Sequence, residues 1–193
     1  VDNRRDLLRD TAVSVLAEAG GRGLTHRAVD RAAGVPEGTT KNYFPSRDAL
    51  LRAAAERLAE AHEAAVARLH TTTPADVSPA EVGALYPALL RRAVAEPAQL
   101  LAMVELYLEA VRRPGVRQAL GRMAVANARA GARLHRAAGL PGGVRDAGLL
   151  DAFFLGVAVS LVALPADALR EVGLDDGDEL GAELFRAVVP GPV

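Results

Sequence analysis

Along most of this 193-residue chain, apolar residues recur every three or four positions. Over no useful length do they alternate with polar ones. That spacing suits helices and argues against strands. Glycine, proline and capping residues break the pattern at intervals, so the predicted fold is all-α, with about nine helices. The first covers Asn3 to Ala19 and stops at "GGRG". Thr25 caps a short second helix that ends at Gly34, a third reaches Phe44, and Ser46 caps a long fourth running to His70. "TTTPADVSPAE" (Thr71 to Glu81) reads as a linker. Its Ser78-Pro79-Ala80-Glu81 combines an N-cap, a proline at the first helical position and a glutamate at the third. The remaining helices are expected to end near Ala95, Arg113, Gly139, Leu164 and Val188, followed by a short tail, "PGPV".

Half of the residues are hydrophobic, enough for a sizeable core without disulfides or metal. The chain has no cysteine, which excludes a thiol nucleophile and a cysteine-based zinc site. No signal-peptide pattern is visible. The longest apolar run, Leu149 to Pro165, contains Asp151 and is short for a bilayer span. It reads as a helix buried on most sides. The expected setting is cytoplasmic, without a membrane. Net charge is -1, but residues 1–55 hold nine basic against seven acidic side chains. A mildly basic end gives weak support for local contact with a polyanion.

The third helix carries "GTTKNYF", Gly38 to Phe44. Glycine, threonine, lysine and asparagine are poor core material, and Lys41 is the chain's only lysine. Two short helices joined by a turn at Gly34 after a longer one make a helix-turn-helix. Ala28, Val29, Ala32 and Ala33 allow the short helices to cross closely. Thr40 and Phe44, four residues apart, can anchor the third helix to the first. Glu37, Gly38, Thr39, Lys41, Asn42 and Tyr43 remain free. Lysine can donate to guanine, asparagine can pair with adenine, threonine can touch a thymine methyl, and glutamate can accept from cytosine. An ordinary solvated helix face fits the spacing equally well.

"LTHRAVDRAAGVPEGTTKNYFPSRDALL" (Leu24 to Leu51) resembles the signature of the tetracycline-repressor (TetR) family of transcriptional regulators. The resemblance rests on Leu24, Thr25, Val29, Ala33, Gly34, Val35, Gly38, Thr39, Tyr43, Phe44, Ser46, Arg47 and Leu50. It implies a DNA-binding head over residues 1–46 and a ligand-sensing, dimerising body over 47–193. It also implies phosphate contacts from Thr25, Tyr43 and Arg47, the last at a helix N-terminus. Arg27, Glu37, Thr39 and Lys41 would face base edges, joined by Gly38 and Asn42 from the reading above. The chain departs from the family in two places. Thr40-Lys41 stands where Leu-Tyr is frequent, and Pro36 stands where a serine cap is usual.

Other constellations are sparser. No catalytic motif appears, and no cofactor is expected. His62 and His70 are two turns apart, too far to chelate one ion, so no metal is expected. His26 and His135 read as surface residues, and Glu105 and Glu109 as part of the solvated stripe of the sixth helix. Asn127 interrupts the apolar stripe Val116, Leu120, Met123, Ala130, Leu134. Tyr107 and Tyr86 interrupt others, and Pro87 is expected to kink its helix at Gly83 and open a cavity. His62, Tyr86, Met103, Tyr107, Asn127 and Phe154 are the candidate lining of an effector site for a hydrophobic small molecule. They could equally be satisfied by protein groups. Phe153, Val159, Val162, Leu180 and Leu184 are the candidate homodimer contacts, with Gly156 and Ser160 allowing close approach. The expected function is a ligand-responsive repressor on a palindromic operator. An all-helical interaction module or a helical-bundle enzyme is the alternative.

Overall fold

The computed structural model describes residues 2–72 and 77–189. Part of the expected linker (73–76), the expected tail (190–193) and the side chain of His70 lie outside the described residues. Among them all regular structure is helical: α1 Asp2–Gly23, α2 His26–Ala32, α3 Thr39–Tyr43, α4 Arg47–Thr72, α5 Pro79–Ala95, α6 Ala98–Ala110, α7 Pro114–Ala137, α8 Val144–Ala163, α9 Ala166–Glu171 and α10 Gly177–Val188. The caps account for many boundaries. Thr25 Oγ1 accepts from Ala28 N at 3.1 Å. Ser78 and Glu81 form the reciprocal box that their spacing suggests. α1 passes beyond its expected end through a break at Gly20. α9 was not anticipated: at six residues, with Leu169 its only buried side chain, it is too short to show a period.

The chain divides into two compact units. One comprises residues up to His62 with Ala98–Met123, and the other Glu63–Pro97 with Ala124 onward. In the first, Leu8, Leu16, Leu24, Val29, Phe44, Leu50, Leu51, Leu58, Leu106, Val116 and Met123 form one buried cluster. α2 and α3 are thus tied to α1, α4, α6 and the first half of α7 through a shared core, which buries the apolar faces that short helices cannot bury alone.

In the second unit Val82, Leu134, Leu140, Leu150 and Val189 are buried, with Tyr86, Leu184 and Phe185 packed against them. The expectation that Pro87 would part α5 from its neighbours fails here. α5 runs on to Ala95 past Pro87, and α10 lies directly against it. A Cβ on Gly181 would come within 2.6 Å of Pro87 N, so this glycine is what permits the close approach. α8 also departs from expectation. Only 17% of its most apolar 18-residue window is buried, although by length and composition alone it could cross a membrane. One face, with Ala147, Leu150 and Ala158, is buried, and the rest of its all-round apolar pattern is only partly covered within the single chain. Phe153 is 48% exposed, and Val159 and Val162 are half-buried. Leu180 and Leu184 point the other way, Leu180 being buried and Leu184 packed on the unit's own core.

Candidate nucleic-acid interface

α3 follows a turn whose geometry depends on Gly38, the N-cap, which sits at φ 92 with no side chain to satisfy the helix start. Asp30 on α2 serves instead. Its Oδ2 accepts from Gly38 N at 2.8 Å, and its Oδ1 accepts from Thr40 N at 2.7 Å and from Thr40 Oγ1 at 2.5 Å. Asp30 is 2% exposed and Thr40 0%. Burial alone would raise the Asp30 pKa, but these bonds outweigh it and hold the carboxyl below its usual range. Thr40 therefore anchors α3 to α2 rather than to α1, as its spacing to Phe44 had suggested. Phe44 does enter the shared core. His26 Nε2 donates to Phe44 O at 2.6 Å, so this histidine clamps the end of α3 and is not simply a surface residue.

With that frame fixed, Thr25, Arg27, Glu37, Lys41 and Asn42 are exposed, and Gly38, Thr39 and Tyr43 are half-buried. Thr39 Oγ1 donates to Pro36 O at 2.6 Å, which helps close the turn before α3. Arg27 and Glu37 pair across the α2–α3 face at 2.6 Å. Thr25, His26, Arg27, Asp30, Glu37, Gly38 and Lys41 line an open concavity of ≈ 360 Å³.

Arg47 is placed differently from the others. Its guanidinium donates to the carbonyls of Leu24 and Gly21 and lies 3.3 Å from Glu109. Glu105 and Glu109 are likewise not the solvated pair expected from the α6 stripe. Glu105 accepts from Gly21 N at 2.7 Å. Glu109 accepts from Arg113 Nε at 2.6 Å, and Arg113 reaches Asp48 at 3.0 Å. Burial would raise the Glu109 pKa, but Arg113 and Arg47 hold it low. These carboxylates join α6 to the end of α1 and the start of α4.

The candidate effector residues divide between the units. His62, Met103 and Tyr107 fall in the first, and Tyr86, Asn127 and Phe154 in the second. Met103 packs on the first core. Asn127 Oδ1 is buried without a hydrogen-bond partner. His135, read from the sequence as a surface residue, is 0% exposed. Its Nε2 lies 3.0 Å from the Tyr86 hydroxyl, Phe185 stacks on Tyr86 at 5.2 Å, and its Nδ1 is buried and unpartnered. Eight residues beyond Asn127, and so on the same side of α7, it had a readable signal.

Burial lowers the His135 pKa, against a smaller opposing pull from Asp146. The folded ring thus resists a proton that the unfolded chain accepts below its ordinary value of 6.5. Stability should be complete above that value and be lost as pH falls through the window beneath it. Over the same window Asp151, whose carboxyl burial pushes up to about 6, acts in the opposite sense, so the His135 contribution is the difference between wild type and His135→Gln in thermal unfolding from about pH 7 to about pH 5. The variant should lose less stability than wild type as pH falls, and an equal change in both would assign the effect to other groups.

The family model "Bacterial regulatory proteins, tetR family" matches residues 8–54, and "Tetracyclin repressor-like, C-terminal domain" matches residues 77–191. No curated protein matches. Among solved structures, the multidrug binding protein EbrR complexed with imidazole is 26% identical, with 98% of this chain and 97% of that one covered and a TM-score of 0.70. The same protein complexed with ethidium gives 25%, 97%, 99% and 0.71. A TetR-family member from Streptomyces coelicolor A3 is 25% identical, with 97% and 99% covered and a TM-score of 0.69.

Proposed function

The chain belongs to the TetR family and is a DNA-binding transcriptional regulator, and we propose that it acts as a ligand-released repressor, binding a palindromic operator as a homodimer. The observation that carries this reading is the contrast within α3. Thr40 is wholly buried, while its neighbours Lys41 and Asn42 are exposed. A five-residue helix held by one side and bare on the other is suited to a major groove. Lys41 and Asn42 would read base edges, and Arg27, Glu37, Gly38 and Thr39 would lie alongside. Thr25 and Tyr43 would contact phosphates. Arg47, whose guanidinium is engaged by Leu24 and Gly21 carbonyls, would support the head more than the phosphate.

The effector reading rests on Asn127 Oδ1 and His135 Nδ1, two buried polar atoms with no partner. Groups of that kind cost free energy unless something meets them. A compound with an apolar body and a few polar atoms would do so, and Tyr86 and Phe154 would offer aromatic surface. EbrR, 25–26% identical, has been solved with imidazole and with ethidium, which supports a nitrogen-containing ring compound as the class to test first. Binding would shift the population of α4, which contributes residues to both units, and so weaken the reading heads.

Selection of bound duplexes from a random pool tests the DNA reading. Lys41→Ala should change base preference and cost about 1–3 kcal/mol if the contact is bidentate. Tyr43→Phe should weaken all sequences alike. If Lys41→Ala leaves affinity and preference untouched, Lys41 does not read bases.

A further inference from the structure

α3 is five residues long, well below the length at which a helix holds itself together. Something outside it must set both its existence and its rotation. Phe44 anchors the far end through the core and its carbonyl accepts from His26, but both contacts lie one residue past α3 and leave its first turn unheld. The start of α3 has no cap of its own, since Gly38 carries no side chain. Asp30 fills that gap with three directional bonds to Gly38 N, Thr40 N and Thr40 Oγ1. The two to Thr40 are buried and the one to Gly38 is part-buried, and in a buried place bonds to a charged acceptor are strong and misalignment is costly.

Thr40 lies between Thr39 and Lys41. With 3.6 residues per turn, locking one side chain of so short a helix fixes the direction of each neighbour. We propose that the buried Asp30–Thr40 pair is the positioning element of the reading helix. It sets the angle at which Lys41 and Asn42 meet the groove and thereby determines base preference without touching DNA. The inference rests on the reading of α3 as the base-reading helix. It also accounts for Thr40 in the Thr40-Lys41 departure from the family pattern. A leucine in its place could fill space, but it could not bond to Asp30. The Thr40 hydroxyl and the Asp30 carboxylate therefore work as a unit.

The test uses the full chain and a labelled duplex selected by wild type from a random pool. Thr40→Val keeps the shape and removes the hydroxyl, Thr40→Ser keeps the hydroxyl, and Asp30→Asn removes the charge. Thr40→Val should lose about ten-fold in affinity for that duplex. On reselection it should also prefer different bases at the positions that Lys41→Ala alters, while Thr40→Ser keeps the wild-type preference. Amide exchange at Gly38 and Thr40, measured without DNA, should quicken by about ten-fold in Thr40→Val. If Thr40→Val loses affinity equally for every duplex with preference unchanged, the pair only stabilises the head and the proposal is overturned. Unchanged amide exchange overturns it as well. Asp30→Asn should reproduce the changed preference where it folds, and Thr40→Val stands as the milder probe where it does not. A wild-type chain that selects no duplex would instead sink the DNA reading, whereas the exchange rates report on the pair in either case.

Discussion

Val159→Glu is expected to leave the chain monomeric and to cost at least about 100-fold in operator affinity, because a head on its own makes too few contacts to hold DNA at physiological salt. The reason lies in α8. Its apolar residues surround the helix, yet little of it is covered by the chain itself. Phe153 is 48% exposed. A Cβ at Gly156 would meet nothing within 4 Å, and Ser160 turns its hydroxyl back to Gly156 O at 3.0 Å, so this face is smooth and free of outward donors. A second copy would cover it with the same face, as two-fold symmetry requires. That symmetry would place two substituted glutamates in the interface, one from each copy, and a desolvated, unpaired carboxylate costs several kcal/mol. Sedimentation would give the assembly state, and gel retardation on the selected duplex the affinity. Leu180→Glu provides the contrast. Leu180 lies in the chain's own interior, so that variant should unfold the second unit rather than release folded monomers. A Val159→Glu chain that remains dimeric with full affinity would place the interface elsewhere.

The sequence was most legible where structure depends on neighbours along the chain. Thr25, Ser78 and Glu81 act within three residues of themselves, so their roles could be read locally. The four-residue spacing of Thr40 and Phe44, which turns Phe44 inward, is equally local. Legibility failed for polar groups whose partners are distant in sequence. Glu105 meets Gly21 across 84 positions, and Tyr86 meets His135 across 49. A single helix's period cannot tell a carboxylate facing water from one facing a backbone N–H on another helix. Asp30 was missed for the same reason, although only 8 and 10 residues separate it from Gly38 and Thr40. The turn between them changes direction, so helical spacing says nothing about the approach. Gly83 and Pro87 were misread as a disruption because the face of α10 that accepts them could not be seen.

Phe44→Ala should destabilise the head by about 3–5 kcal/mol, the range for truncating a large buried ring. Phe44 is 2% exposed and is among the largest fully buried side chains of the chain. Its surroundings have little freedom to collapse. Arg5 lies over the ring at 5.1 Å, and the Phe44 carbonyl is already held by His26. Leu8, Leu24 and Leu50 come from three different segments of one cluster, so closing the cavity would require moving several elements at once. Urea unfolding should show a lower midpoint with an unchanged slope, and binding to the selected duplex should fall with the folded fraction of the head. Phe44→Leu should recover most of the loss, because it restores volume without the ring. The comparison with Thr40→Val separates the two anchors of α3. The ring should govern how much of the head is folded, and the Asp30–Thr40 bonds should govern which bases it prefers once folded. A loss below about 1 kcal/mol in Phe44→Ala, less than typical for a buried truncation, would mean that α3 is held mainly by Asp30 and that the core anchor is dispensable.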